Sequence, residues 1–184
     1  MNLPNKITIV RIFMIPIFLI FMLIPQITYG RYIAAGIFIA AALTDALDGY
    51  IARKRNLITN FGKFMDPLAD KLLVSSALIC LVELKLLASW IVIIIIAREF
   101  IISGFRLIAS DNGVVIAAGW WGKIKTNVQI VMCVMLIINL DNPVINVLEQ
   151  VAIYLSVVLT IISLLDYMLK NRKVLSDHSG TNTK

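Results

Sequence analysis

Apolar residues run along this chain in six long blocks, near residues 7–24, 32–52, 67–84, 87–108, 124–140 and 144–169, with short polar joints between them. Each block approaches the roughly 20 residues that a helix needs to cross a bilayer. Strict alternation is missing, and the blocks are too long and too evenly apolar for barrel strands. The pattern therefore predicts helices whose backbone groups are satisfied within each segment. The expected architecture is an all-α polytopic membrane protein with six transmembrane helices and a polar cavity open to the cytoplasm. Residues 1–175 form one domain on this reading, and the polar run 176–184 is expected to be a disordered tail. The first block has no small-residue cleavage site and five more follow it, so it reads as a retained span.

Composition supports the lipid environment: of 184 residues, 60% are hydrophobic and 15% charged, with a mean hydropathy of +0.91. An ordinary soluble domain is far more polar. The net charge is +6, and its placement matters more than its size. With an inside start, the basic residues fall at inner helix ends, and only Arg31 and Lys85 fall at outer turns. Lys and Arg accumulate on cytoplasmic ends, so both termini are expected inside. The basic residues form no nucleic-acid-binding motif, which leaves anionic lipid or a phosphate-bearing substrate as the partner and excludes nucleic acid. Cys80 and Cys133 lie within apolar blocks, where free thiols act as small hydrophobes. His178 lies in the polar tail, and no ligand role is expected for it.

The acidic residues change the picture most. Asp45 and Asp48 close the second block, and Asp66 and Asp70 open the third, so one helical hairpin carries all four. At 100° per residue, Asp48, Gly49, Ala52 and Arg53 project within roughly a 140° arc of Asp45. Residues 54–63 are expected to turn the chain back, with Asp66 near the next helix's N-cap and Pro67 in its first turn. A single Asp at a membrane helix end is ordinarily a cap or the partner of a nearby Lys. Four at one depth repel one another and are poorly solvated, so they call for cations, and hard oxygen donors select Mg²⁺, Mn²⁺ or Ca²⁺. Metals together with a guanidinium fork suit a diphosphate. Gly49 and Ala52 admit either close helix packing or a pocket beside the acids.

The pattern Asp45-x2-Asp48-Gly49-x2-Ala52-Arg53-x8-Gly62-x3-Asp66-x3-Asp70 resembles the signature of the CDP-alcohol phosphotransferases, with eight specified residues over 26 positions. Within that family, Ala97-Arg98-Glu99-Phe100, Ser103-Gly104-Phe105-Arg106 and Gly122-Lys123-Ile124-Lys125-Thr126 with Gln129 resemble the phosphatidylglycerophosphate synthases. The opening Asn2-Leu3-Pro4-Asn5 with Thr8 and Arg11 is similar too. That subgroup makes phosphatidylglycerophosphate and CMP from CDP-diacylglycerol and sn-glycerol 3-phosphate. The resemblance implies that Asp45, Asp48, Asp66 and Asp70 hold Mg²⁺ or Mn²⁺, two ions, with Asp70 as the base. It assigns Asn5, Thr8, Arg11, Asp48, Gly49, Arg53 and Thr59 to the CDP-diacylglycerol side. It also implies a homodimer in a bacterial-type cell membrane.

The acceptor has a phosphate of its own, which Arg98, Arg106, Lys123 and Lys125 are placed to meet. Each has a plainer reading. Arg98 can pair with Glu99 although adjacent helix positions diverge, and Lys123 and Lys125 can be interfacial anchors like Trp120 and Trp121. Glu99, Ser103 and Arg106 share one helix face. Other acceptors within the family, an ion-coupled transporter and a membrane prenyltransferase compete with this reading. Repeated halves are common in transporters, and residues 90–184 hold no copy of the acidic hairpin, which counts against that reading. The Gly49-x2-Ala52-Arg53 extension and the Asp66-x3-Asp70 return argue against a prenyltransferase.

Overall fold

The computed structural model describes the backbone of residues 3–55, 60–111 and 119–171, and the side chains of 7–44, 65, 68, 69, 71–109 and 119–171. Thr59 and the tail 176–184 lie outside the described residues. Six helices follow in order: α1 (Leu3–Leu23), α2 (Gly30–Arg55), α3 (Asn60–Glu83), α4 (Ser89–Asp111), α5 (Trp120–Ile138) and α6 (Pro143–Lys170). Among the described residues there is no strand. Each expected block is therefore a helix. Helices α5 and α6 are long and apolar enough to cross a membrane, with shorter apolar stretches at Ile7–Leu23 and Gly30–Thr44.

The helix ends differ from expectation at the acidic hairpin. Helix α2 continues to Arg55 and α3 begins at Asn60, so the joint between them is confined to residues 56–59. Asp66 is thus no N-cap, and Pro67 lies inside α3 rather than in its first turn. Hydropathy marks where lipid ends, whereas a helix ends where its hydrogen-bond ladder and caps end it. Proline removes one rung of that ladder. Near a helix end, water can satisfy the carbonyl so released.

The chain forms two compact units, residues 1–92 with 133–142 and residues 93–132 with 143–184. In the first, α1 packs against α2 and α3, which also touch each other. Its buried stripe of Thr8, Arg11, Ile15, Phe18 and Met22 advances by alternating steps of three and four residues, which keeps one helix face inward. On α2, Ala34, Ala35 and Ala41 are buried around Phe38, and small residues of this kind let helix backbones approach closely. The Phe18 and Phe38 rings meet at 6.1 Å. Cys80 and Cys133 are buried and are not joined in a disulfide.

In the second unit, α6 buries Glu149, Ile153, Ser156, Thr160, Ser163 and Tyr167, again in steps of four and three. The hydroxyls on this stripe bond to their own helix: Thr160 Oγ1 donates to the Ser156 carbonyl at 2.7 Å and Ser163 Oγ to that of Thr160 at 3.1 Å. Phe105 of α4 meets Tyr167 edge-on at 5.8 Å, an arrangement that contributes about 0.5–1.5 kcal/mol beyond the area buried.

Candidate functional site

The first unit contains the acidic signature. Asp45, Asp48, Gly49 and Arg53 lie on α2, and Asp66 and Asp70 on α3. Both backbones are helical through these positions, so Asp45 and Asp48 are about one turn apart, as are Asp66 and Asp70. The side chains of these residues, and of Asn5 on α1, lie outside the described set. Thr8 and Arg11 do not, and both are fully buried one turn apart on α1. A buried guanidinium in so apolar a helix is costly and by default marks function.

The second unit contains the charges expected to meet the acceptor, and the structure sorts them. Arg98 donates through Nη1 to Glu99 Oε1 at 2.9 Å, and Lys125 Nζ donates to the same carboxylate oxygen. Arg98 also donates through Nε to Ser163 Oγ on α6 at 3.1 Å. Arg98 and Glu99 of α4 thus join α5 and α6 in one polar cluster. The side chain of Lys125 is 1% exposed and that of Arg98 9%, against 26% for Glu99, so the anion is the wetter end of the cluster. Gly122 leaves room for this arrangement: a Cβ there would stand 3.3 Å from Arg98 Nη2.

The ion pair between Arg98 and Glu99, read above as the plainer alternative, is present. It does not exclude a ligand, because two cations converge on one carboxylate oxygen. Arg106 and Lys123 take no part in this cluster. Arg106 is exposed, with its guanidinium 5.7 Å from the centre of the Tyr167 ring, a cation–π contact. Lys123 is exposed as well. Two residues apart on a helix means roughly 200° apart, so Lys123 and Lys125 face different surroundings. Ser103 Oγ donates to the Glu99 carbonyl at 2.6 Å, which ties the face shared by Glu99 and Ser103 to the helix itself.

The role of Ser163 was missed by sequence reading, although it ends a Ser156, Thr160, Ser163 series with helical spacing that marks a buried polar stripe. Further along α5, Gln129 is 3% exposed and its Oε1 accepts no hydrogen bond. Among the described residues, no group of three or more His, Cys, Asp or Glu is placed to hold a metal ion.

Residues 1–162 match the sequence profile of the CDP-alcohol phosphatidyltransferase family. The chain belongs to this family. Relatives named CDP-diacylglycerol–glycerol-3-phosphate 3-phosphatidyltransferase cover nearly all of it. The protein of Bacillus subtilis (strain 168) is 46% identical over 187 residues, covering 95% of this chain and 97% of its own. That of Haemophilus influenzae (strain ATCC 51907 / DSM 11121 / KW20 / Rd) is 39% identical over 172 residues, covering 91% of each. That of Sodalis glossinidius (strain morsitans) is 35% identical over 183 residues, covering 97% of this chain and 99% of its own. CDP-alcohol phosphatidyltransferases are membrane enzymes that work with divalent metal ions. The donor types fit that chemistry: α2 and α3, which pack on each other, carry four aspartates between them, and carboxylate oxygens are hard ligands for divalent cations.

Proposed function

We propose that this protein transfers the phosphatidyl group of CDP-diacylglycerol to sn-glycerol 3-phosphate, releasing CMP and forming phosphatidylglycerophosphate. The observation that carries the proposal is the complete eight-position signature on two packed helices, in a chain that matches synthases of this product along almost its whole length. The six helices cross the membrane, with both termini and a polar cavity on the cytoplasmic side, as the distribution of Lys and Arg supports. A homodimer, expected from the family resemblance, belongs to the same proposal.

Asp45, Asp48, Asp66 and Asp70 would hold two divalent ions, Mg²⁺ or Mn²⁺. When bound, these ions supply positive charge to the diphosphate oxygens as the bond to CMP breaks. Arg53 adds charge to the same diphosphate, and Asn5, Thr8, Arg11, Asp48, Gly49 and Thr59 hold the nucleotide side. Asp70 accepts the proton of the acceptor's 1-hydroxyl as that oxygen attacks the phosphorus next to diacylglycerol. Arg98 and Lys125 bind the acceptor's phosphate, with Arg106 and Lys123 contributing charge at the entrance. Glu99 keeps the two buried cations close together before the phosphate arrives.

An acceptor panel tests the reading. Purified protein receives CDP-diacylglycerol with Mg²⁺ or Mn²⁺ and one of sn-glycerol 3-phosphate, inositol phosphate, serine or phosphatidylglycerol, and CMP release is followed. Release should depend on sn-glycerol 3-phosphate and stop with chelator. Release with a different acceptor alone would reassign the substrate, and flux of CDP across proteoliposomes without transfer would make the protein a transporter.

A further inference from the structure

Gln129 lies on α5 four residues after Lys125, and both side chains are almost wholly buried. Residues four apart share a helix face, and helical side chains lean toward the N-terminus. The Gln129 amide therefore projects over the turn that carries Lys125, where Glu99 is bonded to both Lys125 and Arg98. In that setting Gln129 Oε1 is a buried acceptor with no donor. Native interiors rarely leave such an atom unpaired, and each instance calls for an explanation. A glutamine kept only to join helices would spend its oxygen on a neighbouring hydroxyl or amide.

The acceptor substrate supplies what the atom lacks. A phosphate ester offers oxygens that accept hydrogen bonds, so the donors of glycerol 3-phosphate are its two hydroxyls. The 1-hydroxyl gives its proton to the base. The C2 hydroxyl is left, two carbons from the phosphate oxygen that the cations attract. We propose that Gln129 Oε1 accepts a hydrogen bond from this C2 hydroxyl and so makes the enzyme selective for a glycerol phosphate over a simple hydroxyalkyl phosphate. The assignment rests on the reading of Arg98 and Lys125 as the acceptor's phosphate site. Selectivity follows because a ligand lacking the hydroxyl leaves the buried oxygen unpaired.

The test compares two acceptors, sn-glycerol 3-phosphate and 3-hydroxypropyl phosphate, which lacks only the C2 hydroxyl, in full-length enzyme at saturating CDP-diacylglycerol. The unsubstituted enzyme should prefer the glycerol compound by about tenfold to a hundredfold in kcat/KM. Gln129→Met keeps the side chain's length and removes its oxygen. It should bring the ratio close to one by lowering kcat/KM for the glycerol compound alone, with the melting temperature unchanged or raised. Gln129→Asn, which shortens the reach, should also reduce the ratio and serves if the methionine variant does not fold. No preference in the unsubstituted enzyme, a preference that survives both substitutions, or an equal loss for both acceptors would overturn the assignment. Lys125→Met checks the supporting reading separately: KM should rise alike for both acceptors. An unchanged KM would remove the phosphate site and with it the Gln129 assignment, whereas a failed acceptor ratio with a raised KM overturns the Gln129 assignment alone.

Discussion

Removing the charge of Glu99 should cost this protein stability as well as substrate affinity, and the size of the loss follows from burial. Glu99→Gln keeps the side chain's shape but leaves Lys125, 1% exposed, and Arg98, 9% exposed, without the carboxylate both now contact. Breaking a buried ion pair from one side costs about 3–5 kcal/mol. Glu99 itself is 26% exposed and Arg98 keeps its bond to Ser163, so the lower end applies, about 3 kcal/mol. For a chain of this length that corresponds to a melting temperature lower by roughly 6–12 °C. Thermal unfolding of the purified protein in detergent would measure it. Lys125→Met in the same background should recover part of the loss, since the second substitution removes a buried charge that has lost one of its partners. A double-mutant cycle reads that coupling directly. If Glu99→Gln melts within a degree of the unsubstituted protein, or if the two substitutions are additive, the buried pair does not stabilise the second unit in the way described.

Three further outcomes are expected. Asp70→Asn should leave the fold intact and abolish CMP release, and retention of more than a few per cent of turnover by purified protein contradicts the base assignment. Gly122→Ala places a methyl group 3.3 Å from Arg98 Nη2, so the guanidinium must shift by a few tenths of an ångström; KM for glycerol 3-phosphate should rise severalfold while KM for CDP-diacylglycerol holds. Lys125→Ala should raise the acceptor's KM by at least tenfold, whereas exposed Lys123→Ala should change it less than threefold at physiological salt, since exposed charges are screened; equal effects would show that burial does not separate the two.

Most of the architecture was legible in the sequence because the relevant physics is local. Six apolar blocks became six helices, and the acidic signature lies on two of them, α2 and α3. Helix ends were less legible. Asn60 begins α3 well before the apolar block at residue 67, so the placement of Asp66 as a cap was wrong. Arg98 and Glu99 were recognised as possible partners because they are neighbours. The bond from Lys125 to the same carboxylate joins residues 26 apart, and that from Arg98 to Ser163 joins residues 65 apart. Such contacts depend on which helices pack, which periodicity within one segment does not encode. The same limit explains why Lys123 and Lys125 looked alike: both are basic residues at a helix start, and only the packed face tells them apart.

The placement of Arg98 beside Glu99 bears on how the chain is made. On the proposed six-span topology, the guanidinium of α4 has to enter lipid before later parts of the chain exist. The very next residue pairs with it, so on that topology α4 would enter the bilayer with its charge already matched. Lys125 emerges later, with α5, and joins a carboxylate that is already in place. On that topology Arg98 need not wait alone in the bilayer for the remaining helices.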